Sequence, residues 1–235
     1  VARVISNKRI LKDVFVLRAE GRFEGEMGQF YMVRAWDKFP LLSRPLSIHD
    51  IGNDYIEFLY RVQGQGTSIL SLLKPSDEIK LEGPYGNGFP LVKGKIALVG
   101  GGIGIAPLYL AAKKLSQNEG VDLLDIYMGF RNEAILEDKY KKFADNLYIN
   151  INGFITDDID FKKYDYIFTC GPEIMMKKIV DMAKDYNTKV YVSIEKRMAC
   201  GVGACLVCSC KTKSGNKRTC KDGPVFFGED VIFDV

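Results

Sequence analysis

The rhythm of apolar and polar positions changes twice along the chain. From Ala2 to about Gly88, apolar residues come in short alternating runs broken by turn residues. In YIEFLYRV, Ile56, Phe58, Tyr60 and Val62 fall at every second position, which predicts a strand with one buried face. EIKLEGPYGNGF predicts another strand that ends in a Gly/Pro/Asn cluster, and TSILSLL is the one short helical patch. Many strands with so little helix predict an antiparallel barrel.

From about Lys93 the pattern lengthens. IALVG reads as a continuous apolar strand, followed by a glycine loop and by LYLAAKKL, with Leu108, Ala111, Ala112 and Leu115 at helical spacing. LLDIYMGF, NLYINI, YDYIFT and KVYVSI predict further strands, with helical stretches over Glu133 to Ala144 and Glu173 to Tyr186. In the latter, Met175, Ile179, Met182 and Tyr186 form one stripe that reads as core packing. Alternation of this kind predicts a Rossmann-like parallel sheet covered on both faces. From about Lys196 the periodicity stops. These last forty residues hold five of the six cysteines and are too few for a core of their own. The expected fold is therefore multidomain β plus α/β, with parts at 1–92, 93–195 and 196–235.

Charge adds little to this picture. The 33 Lys and Arg residues are spread along the chain against 30 acids, net +3, which describes a solvated surface and not a nucleic-acid face. The longest uncharged run, Ile96 to Ala112, approaches the length of a membrane span, but Gly100, Gly101, Gly102, Gly104 and Pro107 interrupt it. The first twenty residues carry charges throughout and show no secretory pattern, so a cytoplasmic protein is expected. A reducing compartment disfavours disulfides, and closely spaced thiols there are more often metal ligands or redox groups.

The cysteines have such spacing. Cys200, Cys205 and Cys208 read C-x4-C-x2-C, with Cys220 following, which is the plant-type arrangement for a [2Fe–2S] cluster. Gly201, Gly203 and Ala204 are small enough to let the backbone bend around the sulfides. Zinc is the alternative, although zinc ribbons usually pair two C-x2-C knuckles. Here there is one, and the sole histidine, His49, is distant in sequence. Cys210 is a surplus thiol, read as structural.

Two stretches suit nucleotides. LVGGGIGIAPL runs from a strand into a helix, where free N–H groups accept a pyrophosphate; Gly102, Gly104, Ala106 and Pro107 line that turn. Pro107 replaces the third glycine of the usual fingerprint, so the pattern alone also fits a plain turn. In RPLS, Arg44 suits bidentate phosphate binding, Pro45 fixes a turn, and the Ser47 hydroxyl can bond a polar ring edge. Gly66 and Thr67 open TSILSLL and offer N–H groups to a diphosphate. MGFRNE has one arginine, Arg131, and an acid, Glu133, which favours NADH over NADPH.

RPLS, GQGTS, GGGIGIAP and CGPE, in that order, resemble the ferredoxin–NADP reductase superfamily. RMACGVGACLVCSCKT and RTCKDGPVF resemble one branch of it, the electron-transfer subunits of bacterial dihydroorotate dehydrogenase B. The resemblance implies a flavin-binding barrel with FAD on Arg44, Pro45, Leu46 and Ser47, along Leu59, Tyr60 and Arg61, and on Gly66 and Thr67. It implies NAD in the second part, with the nicotinamide near Cys170, Gly171 and Pro172, and a [2Fe–2S] cluster on Cys200, Cys205, Cys208 and Cys220. It also implies a partner: an FMN-containing catalytic subunit that oxidises dihydroorotate, joined in a heterotetramer of two of each. Electrons would run from that FMN through the cluster and FAD to NAD+, in pyrimidine biosynthesis. A related reading is an NADH:ferredoxin or sulfide-linked reductase subunit. A reading of another class is a zinc-stabilised nucleotide sensor without turnover. Two departures touch the flavin: Leu46 stands where many relatives carry a stacking tyrosine, and the chain continues past Ile194, where many end in an aromatic.

Overall fold

A computed structural model describes residues 1–235. The first part comprises β1 (Ala2–Arg9), β2 (Val14–Glu20), β3 (Phe30–Arg34), β4 (Arg44–Ser47), β5 (Asp50–Ile51), β6 (Tyr55–Arg61), the short helix α1 (Gln65–Ser71) and β7 (Glu78–Tyr85). Its strands pair antiparallel in the order β4-β3-β7-β1-β2-β6-β5, and β4 lies beside β6, which rolls the sheet into a barrel. The alternation in β6 is real, yet both its faces are buried. Glu57 on the second face is covered by the next part of the chain and held by Arg18 at 2.7 Å and Lys139 at 2.9 Å. A carboxylate there needs both cations, because an unpaired buried charge is costly.

The second part contains β8 (Gly94–Gly101), α2 (Ala106–Ser116), β9 (Val121–Phe130), α3 (Glu137–Lys141), β10 (Asn146–Ile151), β11 (Tyr166–Cys170), α4 (Glu173–Ala183) and β12 (Lys189–Ser193). Strands β10-β9-β8-β11-β12 are parallel. One difference from the sequence pattern is that the stretch from Glu133 to Ala144 forms a single helical turn at Glu137–Lys141. Leu136 adopts φ 59°, a left-handed conformation that breaks the preceding helix while Ile135 is buried in the core. On one face of the sheet, α2 and α3 share a continuous apolar core with the barrel interior. The other face packs on α4.

The last part forms β13 (Ser209–Thr212), β14 (Gly215–Arg218) and β15 (Val225–Phe227). β13 and β14 make a hairpin, whereas β15 returns to pair antiparallel with β12, extending the second sheet. The tail is thus organised partly by a neighbour's strand edge. No helix is long and apolar enough to cross a membrane.

Candidate functional site

The RPLS strand is positioned by β3, with Val33 opposite Arg44, Met32 opposite Pro45, Tyr31 opposite Leu46 and Phe30 opposite Ser47. Leu46 points into the main core. Arg44 reaches the start of α1, where a Cβ on Gly66 would stand 2.7 Å from its Cζ. Two motifs distant in sequence are therefore in van der Waals contact, and glycine is the residue that leaves room for the guanidinium. The Thr67 Oγ1 accepts the backbone N–H groups of Gln63 at 2.9 Å and Gly64 at 3.1 Å, closing the turn before α1. The N–H groups of a first helical turn have no partner within their own helix, so this end suits an anion held by Arg44. Trp36 lies 5.5 Å from the guanidinium carbons of both Arg34 and Arg44.

Along β6 the placement is uneven. Leu59 and Tyr60 are buried on opposite faces, and the Tyr60 hydroxyl donates to Asn7 Oδ1 at 3.3 Å inside the barrel. The Arg61 guanidinium at the strand's end remains partly exposed, 3.3 Å from Asp13. Of these three, the Arg61 side chain and the strand backbone can face a ligand.

Strand order reverses between β8 and β11, since the chain continues from β8 to β9 on one side and from β11 to β12 on the other. Ligands of such sheets bind in the crevice outside the carboxyl ends at this point. The GGGIG and CGP turns meet there. A Cβ on Gly104 would stand 2.7 Å from Gly171 Cα, and one on Gly101 would stand 2.7 Å from Pro172 Cδ. Gly102, Gly104, Ala106, Pro107, Cys170, Gly171 and Pro172 are thus gathered at one edge. Burial, reinforced by the charge of Glu195, pushes the Cys170 thiol far above its ordinary range, so it is neutral. Sequence reading did not single out Glu195, which follows β12 at the same edge. The Gly102–Ile105 turn packs against β6, and His49, two residues beyond Ser47, brings Nδ1 to 3.0 Å from Ala106 O. The segment that follows RPLS and the glycine turn are therefore directly linked.

A cavity of about 750 Å³ opens between these parts, lined by Arg9, Lys12, Asp13 and Val62 of the barrel and by Asn132 and Glu133 after β9. Arg9 and Lys12 carry no local motif that would reveal them, because only the fold brings this hairpin turn to Glu133.

Four cysteines share this loop: Cys205 neighbours Cys200, and Cys220 neighbours both Cys200 and Cys208, whose Sγ accepts the Cys220 N–H at 3.4 Å. No three Cys, His, Asp or Glu side chains converge on a single metal position. Four thiols in one short loop at this spacing suit a [2Fe–2S] cluster, which takes four cysteine ligands. The N–H groups of Cys205 and Val202 aim at Cys200 Sγ and lower its pKa to about 6. Gly201 at φ 72° and Gly203 at φ 83° make that inward turn possible. The Thr219 hydroxyl, next in sequence to Cys220, is buried with no hydrogen-bond partner. Cys210 belongs to a separate apolar cluster with Ile194 and Val231.

This loop packs against the outside of the barrel, with Cys208 and Cys220 against Phe30 and Met32. A Cβ on Gly201 would stand 2.9 Å from Met32 Cγ. Met32 is the cross-strand neighbour of Pro45, so β3 alone separates the cysteine loop from RPLS.

Residues 195–232 match the model of the iron-sulfur cluster binding domain of dihydroorotate dehydrogenase B. The chain is 46% identical over 243 residues to the dihydroorotate dehydrogenase B (NAD(+)) electron transfer subunit of Clostridium acetobutylicum, covering 100% of this chain and 97% of that protein. The corresponding subunit of Clostridium perfringens is 44% identical over 240 residues, covering 98% and 97%. A solved chain of an NADH-dependent reduced ferredoxin-NADP oxidoreductase superposes with TM-score 0.90 at 30% identity, covering 100% of this chain and 90% of that one. The ferredoxin reductase of carbazole 1,9a-dioxygenase shares the fold over 80% of this chain and 65% of that one, with TM-score 0.64 at 18% identity. With both ends of the chain aligned to its relatives, and with cysteine loop, barrel and crevice all in place, this chain belongs to the family of dihydroorotate dehydrogenase B (NAD(+)) electron transfer subunits.

Proposed function

We propose that this chain is the oxidoreductase subunit that carries electrons between a dihydroorotate-oxidising partner and NAD+, in pyrimidine biosynthesis. The observation that carries this reading is the order of the three sites. The cysteine loop touches Met32 on β3, β3 pairs with RPLS, and RPLS leads through His49 to the glycine turn.

In this reading Cys200 and Cys205 hold one iron and Cys208 and Cys220 the other. Arg44 and the first turn of α1, with Gly66 and Thr67, bind the FAD diphosphate. Pro45, Leu46 and Ser47, with the β6 backbone at Leu59 and Tyr60 and the Arg61 side chain, bound the flavin. Gly102, Gly104, Ala106 and Pro107 receive the NAD pyrophosphate, and Cys170, Gly171 and Pro172 bound the nicotinamide. FAD, when bound, supplies exchange between two-electron nicotinamide chemistry and one-electron cluster chemistry. The chain's own task is placement: Gly104 and Gly171 let the two turns of the crevice close on one another, and Gly66 leaves room for the Arg44 guanidinium. The three parts at 1–92, 93–195 and 196–235 correspond to flavin, nicotinamide and cluster, the third docking on both others.

The partner in this reading is an FMN-containing catalytic subunit, with two copies of each chain in a cytoplasmic heterotetramer. Co-purification is the test: the chain should elute with that subunit, and the complex should reduce NAD+ on addition of dihydroorotate. A second reading, an NADH:ferredoxin-type reductase subunit, is favoured by the likeness to the NADH-dependent ferredoxin-NADP oxidoreductase chain. Absence of co-elution and of dihydroorotate-dependent NAD+ reduction, with ferredoxin reduced by NADH, would select it.

A further inference from the structure

Two consecutive carbonyls end the glycine turn, and each is held by a fully buried ring. The Tyr140 hydroxyl, from α3 in the same part of the chain, donates to Ile105 O at 2.7 Å. His49 reaches across from the barrel, with Nδ1 3.0 Å from Ala106 O. A carbonyl only accepts, so Nδ1 carries the proton and the neutral ring leaves a bare lone pair on Nε2. That Nε2 has no hydrogen-bond partner; Glu57 Oε1 stands 3.8 Å away, already engaged by Lys139. Burial holds the ring neutral, with its pKa lowered to about 4.

An unpartnered buried nitrogen is unfavourable, and the stack of His49 on Tyr109, with centroids 4.5 Å apart, needs no nitrogen at all. Phenylalanine would fill the place with less cost. What histidine adds is the one bond from the barrel to the first residue of α2.

We infer that His49 is a positioning residue for hydride transfer: its Nδ1–H ties the strand carrying RPLS to the glycine turn and so sets the distance between flavin ring and nicotinamide. The inference rests on the proposed reading of Arg44–Ser47 as the flavin strand and of the β8–β11 crevice as the nicotinamide site. In that step a hydride leaves the nicotinamide with both its electrons and joins the flavin ring. Such transfer needs reacting atoms about 3–3.5 Å apart, and a shift of about 1 Å lowers the rate about a hundredfold.

The test compares two substitutions in the full chain loaded with FAD and cluster. His49→Phe keeps the ring and its stack without a donor, and His49→Asn keeps a donor near the Nδ1 position without the ring. Single-turnover bleaching of the flavin by saturating NADH gives the rate, the absorbance change on NAD+ titration gives Kd, and the nicotinamide–flavin charge-transfer band reports their stacking. We expect His49→Phe to slow bleaching by about tenfold or more and to weaken the charge-transfer band, with Kd near wild type. His49→Asn should recover most of the rate. Tyr140→Phe, which frees the turn inside its own part, should change Kd more than rate. Wild-type bleaching in His49→Phe, or equal slowing in both His49 variants, would overturn the inference. If His49→Phe fails to hold FAD, His49→Asn decides alone: near-wild-type bleaching upholds the bond's role, and slow bleaching overturns it. A wild-type flavin that NADH does not bleach would overturn the functional reading and this inference together.

Discussion

Asn87 holds Asp222: its side-chain amide donates to the Asp222 carbonyl at 3.1 Å, and its backbone N–H bonds the next carbonyl, that of Gly223. Together with the pairing of β15 on β12, this anchors the final segment at points that involve no cysteine thiol. Loss of the cluster should therefore leave the tail docked.

Cys220→Ser tests this independence. The cluster should be lost or severely depleted, because thiolates are the expected iron ligands. FAD content should stay near wild type, and NADH should still reduce a two-electron dye, while transfer to the partner fails. Cys210→Ser should keep its iron, since Cys210 lies in a different apolar cluster from Cys208 and Cys220. Iron and flavin analysis of the two variants is the measurement; normal iron in Cys220→Ser would assign the fourth ligand to another residue.

What could be read from the sequence was local. C-x4-C-x2-C, RPLS and the glycine turn are each encoded within a few residues, and so are the strands around them. The long-range pairings were not legible. Nothing in VFF announces that β15 will join β12, and nothing near Arg9 announces Glu133. Strand β6 shows an alternating pattern, yet Glu57 is buried because Arg18 and Lys139 arrive from other elements. The helical pattern after Glu133 yields to Leu136, whose backbone conformation is set by how the chain enters the core.

Arg44→Ala should weaken FAD binding through loss of a charge-assisted contact of about 2 kcal/mol, about thirtyfold in Kd. Gly66→Ala should act in the same direction without removing the charge, because its Cβ would stand 2.7 Å from Arg44 Cζ and displace the guanidinium. Cluster content should not change in either. Flavin-to-protein ratios after dialysis would show this, and full retention in both would reduce RPLS to a turn.

Acid should loosen the junction between barrel and second sheet. His49 has a folded pKa of about 4 against an ordinary 6.5, so between these values the unfolded chain takes up a proton that the folded chain does not. Stability contributed by the neutral ring is full above the ordinary value and falls as pH drops toward the folded one, by about 3 kcal/mol in all. Glu57, where burial opposes the charge but Lys139 and Arg18 outweigh it and lower the pKa below 4.5, adds loss in the same direction at still lower pH. His49→Asn should flatten the decline of Tm across the histidine window, leaving the Glu57 part. An unchanged slope would show that His49 is not the titrating group.

Glu133 should decide between the two nicotinamide cofactors. It lines the same cavity as Arg9, Lys12 and Asp13, so that site holds two cations able to attract a 2′-phosphate and two acids, of which Asp13 is paired with Arg61 and Glu133 is left to repel it. The wild-type chain should prefer NADH. Glu133→Gln removes the repulsion while both cations remain, and at an exposed site this is worth about 1 kcal/mol, or about fivefold in kcat/KM for NADPH. NADH, which has no 2′-phosphate, should change little. Adding Arg9→Gln and Lys12→Gln to that variant should remove the gain, because the phosphate would then meet no cation lining the cavity. The ratio of kcat/KM for the two cofactors across the three proteins is the measurement, made at low and high salt, since screening should shrink the differences. Equal use of both cofactors by the wild type, or a ratio unmoved by Glu133→Gln, would place the adenosine end of the cofactor away from this cavity.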